Sequence, residues 1–165
     1  MPMLAEGVSP RIARPPMRAG RRFHMVLPAC PIAVRSTLSD AAQHCRRAGA
    51  SADQVSTMEL VLAEALNNVV EHAHADRADG IIEIELTLTA TGADCRICDD
   101  GVAMPGGQLP AAERAGPCPV DLPEGGFGWP LIHGLTRDLR YVRRTGWNET
   151  AFTVPFDAPL QGLLC

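Results

Sequence analysis

The chain has 165 residues, 46% of them apolar, enough for one domain with a proper core and too few for two. A formal net charge of -4 and a pI near 5.7 argue against nucleic acid as a direct partner, because phosphate binding needs a clustered positive field. All 15 cationic side chains are Arg and none is Lys, which excludes a Walker loop, a kinase that depends on a strand lysine, and Schiff-base chemistry. No apolar run approaches a membrane span, and the N-terminus lacks the apolar core of a signal peptide. The expected location is the cytoplasm, away from membranes.

Residues 1–20 hold four prolines and no periodicity, and are read as a basic, Pro-rich tail without structure. Arg11, Arg14, Arg18, Arg21 and Arg22 cluster toward the N-terminus. The domain proper is expected over residues 21–156, with 157–165 as a C-terminal tail. Phe23, Met25 and Leu27 alternate in a first strand from Arg21 to Leu27. Pro31 opens a helix whose apolar positions Ile32, Val34, Leu38, Ala41, Ala42 and Cys45 run to a stop at Gly49. Ser51-Ala52-Asp53-Gln54 is a capping box at the start of a central helix that should run to about His74. At about 100° per residue, Val55, Met58, Leu62, Ala65, Leu66, Val69 and Ala73 share one buried arc. The opposite arc is polar, with Glu64 and Asn68 an i, i+4 pair.

Ile81 to Thr89 alternates as a strand with one wet face. A turn at Thr91-Gly92-Ala93-Asp94 leads to a second strand, Cys95 to Asp99, in a hairpin. Six cysteines stand at 30, 45, 95, 98, 118 and 165. Cys95 and Cys98 make a CxxC, but on a strand an odd spacing sends them to opposite faces, so buried free thiols rather than a zinc site are expected. Residues 102–126 are rich in Pro, Gly and Ala, and a loop that long inside one domain is functional or mobile. Gly125-Gly126-Phe127-Gly128 then opens a short helix, Trp129 to Thr136. Two closing strands follow, Leu139 to Arg143 and Ala151 to Phe156, joined through Thr145-Gly146-Trp147-Asn148-Glu149. The fold class is α/β: a two-layer sandwich with helices over one face of a mixed, mainly antiparallel sheet.

Three sites along this order can carry chemistry. Glu64 and Asn68 present oxygens to one small volume, suited to a hydrated divalent cation and a reacting hydroxyl. Asp99-Asp100-Gly101 ends a strand with a carboxylate able to accept from an exocyclic amine, beside a glycine that admits a flat ring. Gly125 to Gly128 precede a helix N-terminus, where free N–H groups favour phosphate.

ExxxN on a helix, DxG after a strand, a loop, GxG before a short helix and a closing Asn-Glu-Thr resemble the Bergerat ATP-binding fold shared by histidine kinases, gyrase, Hsp90 and MutL. Ala63 to Ala73, AEALNNVVEHA, looks most like the SEALTNAVxHA pattern of anti-sigma-factor serine kinases. The resemblance spans roughly residues 25 to 156. It implies Asn68 as magnesium ligand, Glu64 as general base, Asp99 as acceptor of the adenine amine, Gly101, Gly126 and Gly128 around nucleotide and lid, and Thr150 near adenine or phosphate. Against the family's DxGxG, Ala103 replaces the second glycine. The loop between the boxes has five prolines and Arg114 as its only cation. His72 and His74, at i, i+2, do not converge on a metal.

The resemblance implies a protein that binds ATP or ADP with magnesium, phosphorylates a Ser or Thr of a STAS-domain anti-sigma-factor antagonist, and sequesters a sigma factor. The alternative is a binding module that only sequesters, with nucleotide as a conformational ligand. Retention of Glu64 favours catalysis, because a pure binder has no use for a base. The family often forms homodimers.

Overall fold

The computed structural model describes residues 22–111 and 128–157. Their order is strand β1 (Arg22–Pro28), helices α1 (Pro31–Arg47) and α2 (Ala52–Asn68), a π turn (Val69–Ala73), strands β2 (Ile81–Thr89) and β3 (Gly92–Asp99), a 3-10 turn (Pro105–Gly107), helix α3 (Gly128–Leu135), and strands β4 (Arg137–Arg144) and β5 (Trp147–Pro155). The sheet order is β1-β2-β3-β5-β4. Every described neighbouring pair is antiparallel. β3 and β4, linked through α3, run the same way, but β5 inserts between them and takes the hydrogen bonds of both.

Local chemistry explains the boundaries. Pro31 occupies the first turn of α1, where its missing N–H costs nothing. The turn beyond α1 contains Gly49 at φ 92°, where a Cβ would be strained. The capping box is complete: Gln54 N–H donates to Ser51 Oγ at 3.2 Å, and Ser51 N–H donates to Gln54 Oε1 at 2.8 Å. β4 and β5 are joined by Thr145 and Gly146 at φ 51° and 82°, the two positive angles of a tight hairpin turn. That turn is shorter than expected, so Asn148, Glu149 and Thr150 lie within β5 and not in its approach. β3 likewise begins at Gly92, and Gly92, Ala93 and Asp94 are strand residues. A Cβ at Gly92 would stand 2.6 Å from the Val154 carbonyl.

The core lies between the helices and one sheet face, where Met58, Leu62 and Leu66 of α2 meet Ile82, Ile84, Leu86, Leu88, Ile97, Phe152 and Val154. The buried arc of α2 follows the expected positions and also takes in Val61. In α1, Ile32 departs from expectation. It is 84% exposed, while Val34, Thr37, Ala41, Ala42 and Cys45 are the buried positions of the helix.

The opposite face of the sheet is less wet than alternation predicts. Glu85 is 6% and Thr87 7% exposed, and Arg96 lies against Glu85. Its Nε donates to Glu85 Oε2 at 3.1 Å and its Nη1 to Glu149 Oε2 at 3.4 Å. Arg22 opens β1, within the strand expected from Arg21 to Leu27, and pairs with Glu85. Arg11, Arg14, Arg18, Arg21, Arg114 and both proposed tails up to residue 20 and from 158 lie outside the described residues. Among the described residues, no helix is long and apolar enough to cross a membrane.

Candidate functional site

At the edge of the core, the end of α2, the last residue of β3 and the middle of β4 and β5 enclose a cavity of about 510 Å³. Ala65, Val69, Ile97, Trp129 and Met104 give it an apolar lining, and Asn68, Asp99, Asn148, Thr150 and Tyr141 add polar groups. Such a cavity, apolar with a few fixed polar groups, suits a flat heterocycle.

Asn68 and Glu64 converge as the i, i+4 spacing requires. A methyl group on Gly128, the first residue of α3, would stand 2.9 Å from Glu64 Oε2 and 3.3 Å from both Asn68 Oδ1 and Nδ2. The helix N-terminus thus stands so close to these two side chains that a Cβ at Gly128 would require the Glu64 carboxylate to shift. Among the described residues Asn68 Nδ2 is buried without a hydrogen-bond partner, a costly state for a polar atom that a bound anion or oxygen ligand would relieve. Directly after Asn68 the helix widens into the π turn Val69–Ala73, a feature concentrated at functional sites. Gly126 lies outside the described residues.

Asp99 is 3% exposed. Its Oδ1 accepts from Gly101 N–H at 2.9 Å and from Asn148 Nδ2 at 2.8 Å. Burial pushes the Asp99 carboxyl above its usual range, opposed by these two hydrogen bonds and by the nearby His74. Gly101 is also constrained by packing. A Cβ there would lie 2.4 Å from the Ala73 carbonyl and 2.7 Å from Ala73 Cβ, so its glycine lets the chain after β3 pack on the end of the π turn. Val102 N–H donates to that same carbonyl at 2.9 Å. Thr150, 5% exposed, lines the cavity opposite Ile97 and Tyr141 in the sheet register.

The two histidines do not converge. His72 is exposed on the cavity rim, while His74 is buried with its Nε2 3.5 Å from Asp99 Oδ1 and 3.7 Å from Asp100 Oδ1. Gly80 packs on its ring. Cys95 faces the helices within the core, whereas Cys98 lies on the other face, where Arg96 Nη1 donates to its sulfur at 3.1 Å. Burial pushes the Cys98 and Cys45 thiols up to about 12, so neither is a thiolate nucleophile at neutral pH.

Sequence reasoning missed the role of Asn148. Its Nδ2 also donates to the Val102 carbonyl at 2.9 Å, and its Oδ1 accepts from Tyr141 Oη at 2.6 Å and Arg143 Nη1 at 2.7 Å. The available signal was the alternation that continues back from Ala151 through Trp147, which puts Asn148 and Thr150 on the same side of β5.

A helix face of carboxylate and amide against a helix N-terminus, beside an apolar cavity ending in a buried aspartate, defines a ligand-binding two-layer α/β sandwich. The chain belongs to the histidine kinase-like ATPase domain family, whose model matches residues 27–154. It is similar to the serine/threonine-protein kinase BtrW of Bordetella bronchiseptica, 33% identical over 97 residues, covering 59% of this chain and 68% of that one. The serine-protein kinase RsbW of Oceanobacillus iheyensis is 32% identical over 132 residues, 75% of this chain and 80% of its own. A crystal structure of the RsbU and RsbW domains of a Mycobacterium tuberculosis protein shares the fold, with a TM-score of 0.58 at 17% identity. That match covers 84% of this chain and 32% of the longer one, so the present chain spans about a third of that protein's structure.

Proposed function

We propose that the protein is an ATP-dependent serine/threonine protein kinase and anti-sigma factor of a partner-switching system. It would phosphorylate a Ser or Thr of a STAS-type antagonist and sequester a sigma factor in the cytoplasm. The observation that carries this reading is the meeting of Glu64 and Asn68 at Gly128, beside a cavity that Asn68 and Asp99 both line. In this reading the adenine ring fills the apolar cavity, Asp99 accepts from its exocyclic amine, and Thr150 lies beside the base. Gly126 and Gly128 border the phosphates, and Gly101 holds the start of the lid.

The orphaned Asn68 amide and the neighbouring carboxylate fit a metal-bound triphosphate. Asn68 Oδ1 would hold magnesium, which supplies neutralisation of the phosphate charge. Glu64 takes the proton from the acceptor hydroxyl as its oxygen bonds to the γ-phosphorus of ATP and the bond to the β–γ bridging oxygen breaks, with ADP leaving. The helix α3 N-terminus adds its dipole to phosphate binding.

Glu64→Gln separates transfer from binding. It is expected to retain ATP and partner affinity while single-turnover phosphorylation of the antagonist falls by roughly 10²–10⁴, toward the lower part because the transition state is loose. An unchanged transfer rate would remove Glu64 from the mechanism and leave a sequestering module. Light scattering of the purified chain, alone and with its partner, tests the homodimer expected of the family.

A further inference from the structure

We infer that Asn148 is the positioning residue that makes Asp99 selective for a 6-amino purine. The inference rests on the proposed reading of Asp99 as the base acceptor. Asn148 is 3% exposed, and its surroundings settle which end of the amide faces where. On one side the described partners are all acceptors: Asp99 Oδ1 at 2.8 Å, the Val102 carbonyl at 2.9 Å and the Gly101 carbonyl at 3.4 Å. On the other stand two donors, Tyr141 Oη at 2.6 Å and Arg143 Nη1 at 2.7 Å. Only an amide satisfies both sides at once, with Nδ2 toward Asp99 and Oδ1 toward β4.

Two consequences follow for Asp99. Its Oδ1 is taken by Asn148 and by Gly101 N–H at 2.9 Å, which leaves Oδ2 as the oxygen to meet a ligand. The donated N–H also favours the ionised carboxylate against the burial that opposes it, and an ionised carboxylate accepts but cannot donate. A 6-amino purine offers that oxygen a donor; a 6-oxo purine offers another acceptor. The same amide anchors the chain leaving the site, because Tyr141 Oη in turn accepts from Met104 N–H at 3.1 Å and Arg143 Nη1 donates to the Gly101 carbonyl at 3.0 Å. The recognition oxygen and the first residues of the loop toward α3 are thus referenced to one side chain.

The test is the affinity ratio of ATP to inosine triphosphate, which differ at the 6-position, measured by calorimetry on the full chain. Asn148→Ala and the near-isosteric Asn148→Asp should lower the ratio roughly three- to tenfold, the value of one well-placed hydrogen bond. Asp99→Asn should abolish most of the selectivity, and Asn148→Ala added to it should lower the ratio no further. Circular dichroism and melting curves establish that each variant is folded. If either Asn148 variant fails to fold, Tyr141→Phe decides: it keeps the ring, removes only the hydroxyl that orients Asn148, and should lower the ratio by about two- to threefold. An unchanged ratio in these variants, with Asp99→Asn still lowering it, would overturn the role of Asn148 alone. An unchanged ratio in Asp99→Asn would overturn the base-site reading, and this inference with it.

Discussion

Asp99 shows how the site opposes the fold that carries it. A buried carboxyl raised above its unfolded value favours folding while protonated, and that contribution is lost as pH rises through the folded value. Above that value the charged Asp99 weakens the folded state, and its charge is retained for the ligand. Asp99→Asn should leave the ligand-free protein as stable as wild type or more so at pH 7, with the gap narrowing as pH falls through the carboxylate range. ATP affinity should nevertheless drop at least tenfold, since the amide can rotate to present a donor to the adenine amine. Melting curves with and without ATP check both halves, and a clear loss of ligand-free stability at pH 7 would show that Asp99 is a structural group. Glu64 and Asn68 were legible as a pair because helical spacing alone brings i and i+4 together. That they face Gly128, and that Gly101 packs on Ala73, depended on elements distant in sequence.

At the scale of elements, α2 is the piece on which the others are placed. It packs against α1 and α3, and its polar edge carries both proposed phosphate-site residues. Its start is set by Ser51 and Gln54, and Ser51→Ala should destabilise the protein by about 1 kcal/mol, the ordinary worth of an N-cap. Urea titration would read this as a lower midpoint at unchanged slope. Nucleotide selectivity should not change, because the cap lies at the far end of the helix from Asn68. The other end of α2 was less legible. Periodicity carried the helix to about His74, but it widens at Val69–Ala73, where Val102 N–H docks onto the Ala73 carbonyl, a contact that no local pattern announces. The connection between β4 and β5 was likewise read too long, over Thr145 to Glu149, because β5 begins at Trp147. The two-residue turn became evident from the positive φ values of Thr145 and Gly146.

Over the whole molecule, the helices cover one face of the sheet, and the other is held by charge. Burial would raise the Glu85 carboxyl, but the guanidinium groups of Arg96 and Arg22 outweigh it and hold that carboxyl below its usual range. A depressed folded value stabilises the protein above the unfolded one and is lost as pH falls through the folded one. Glu85→Gln should therefore cost about 2–4 kcal/mol at pH 7, because it leaves the largely buried Arg96 with its main partner neutralised. The difference from wild type should shrink below about pH 4. Chemical denaturation at both pH values checks the sign, and an equal difference at both would mean that shape rather than charge matters at Glu85.

The sequence by itself determined what depends on short-range geometry. The 3.6-residue and two-residue periods set the order of strands and helices, the capping box and Pro31 set helix starts, and i, i+4 spacing paired Glu64 with Asn68. Opposite faces for Cys95 and Cys98 followed from the strand period in the same way. Tertiary structure decided what depends on elements meeting across the fold: β5 between β3 and β4, Arg96 over Glu85, and Gly101 against Ala73. Asn148 belongs to the second group. Its five polar partners come from β3, β4 and the chain after β3, and an amide's use is set by which donors and acceptors surround it, not by its neighbours along the chain.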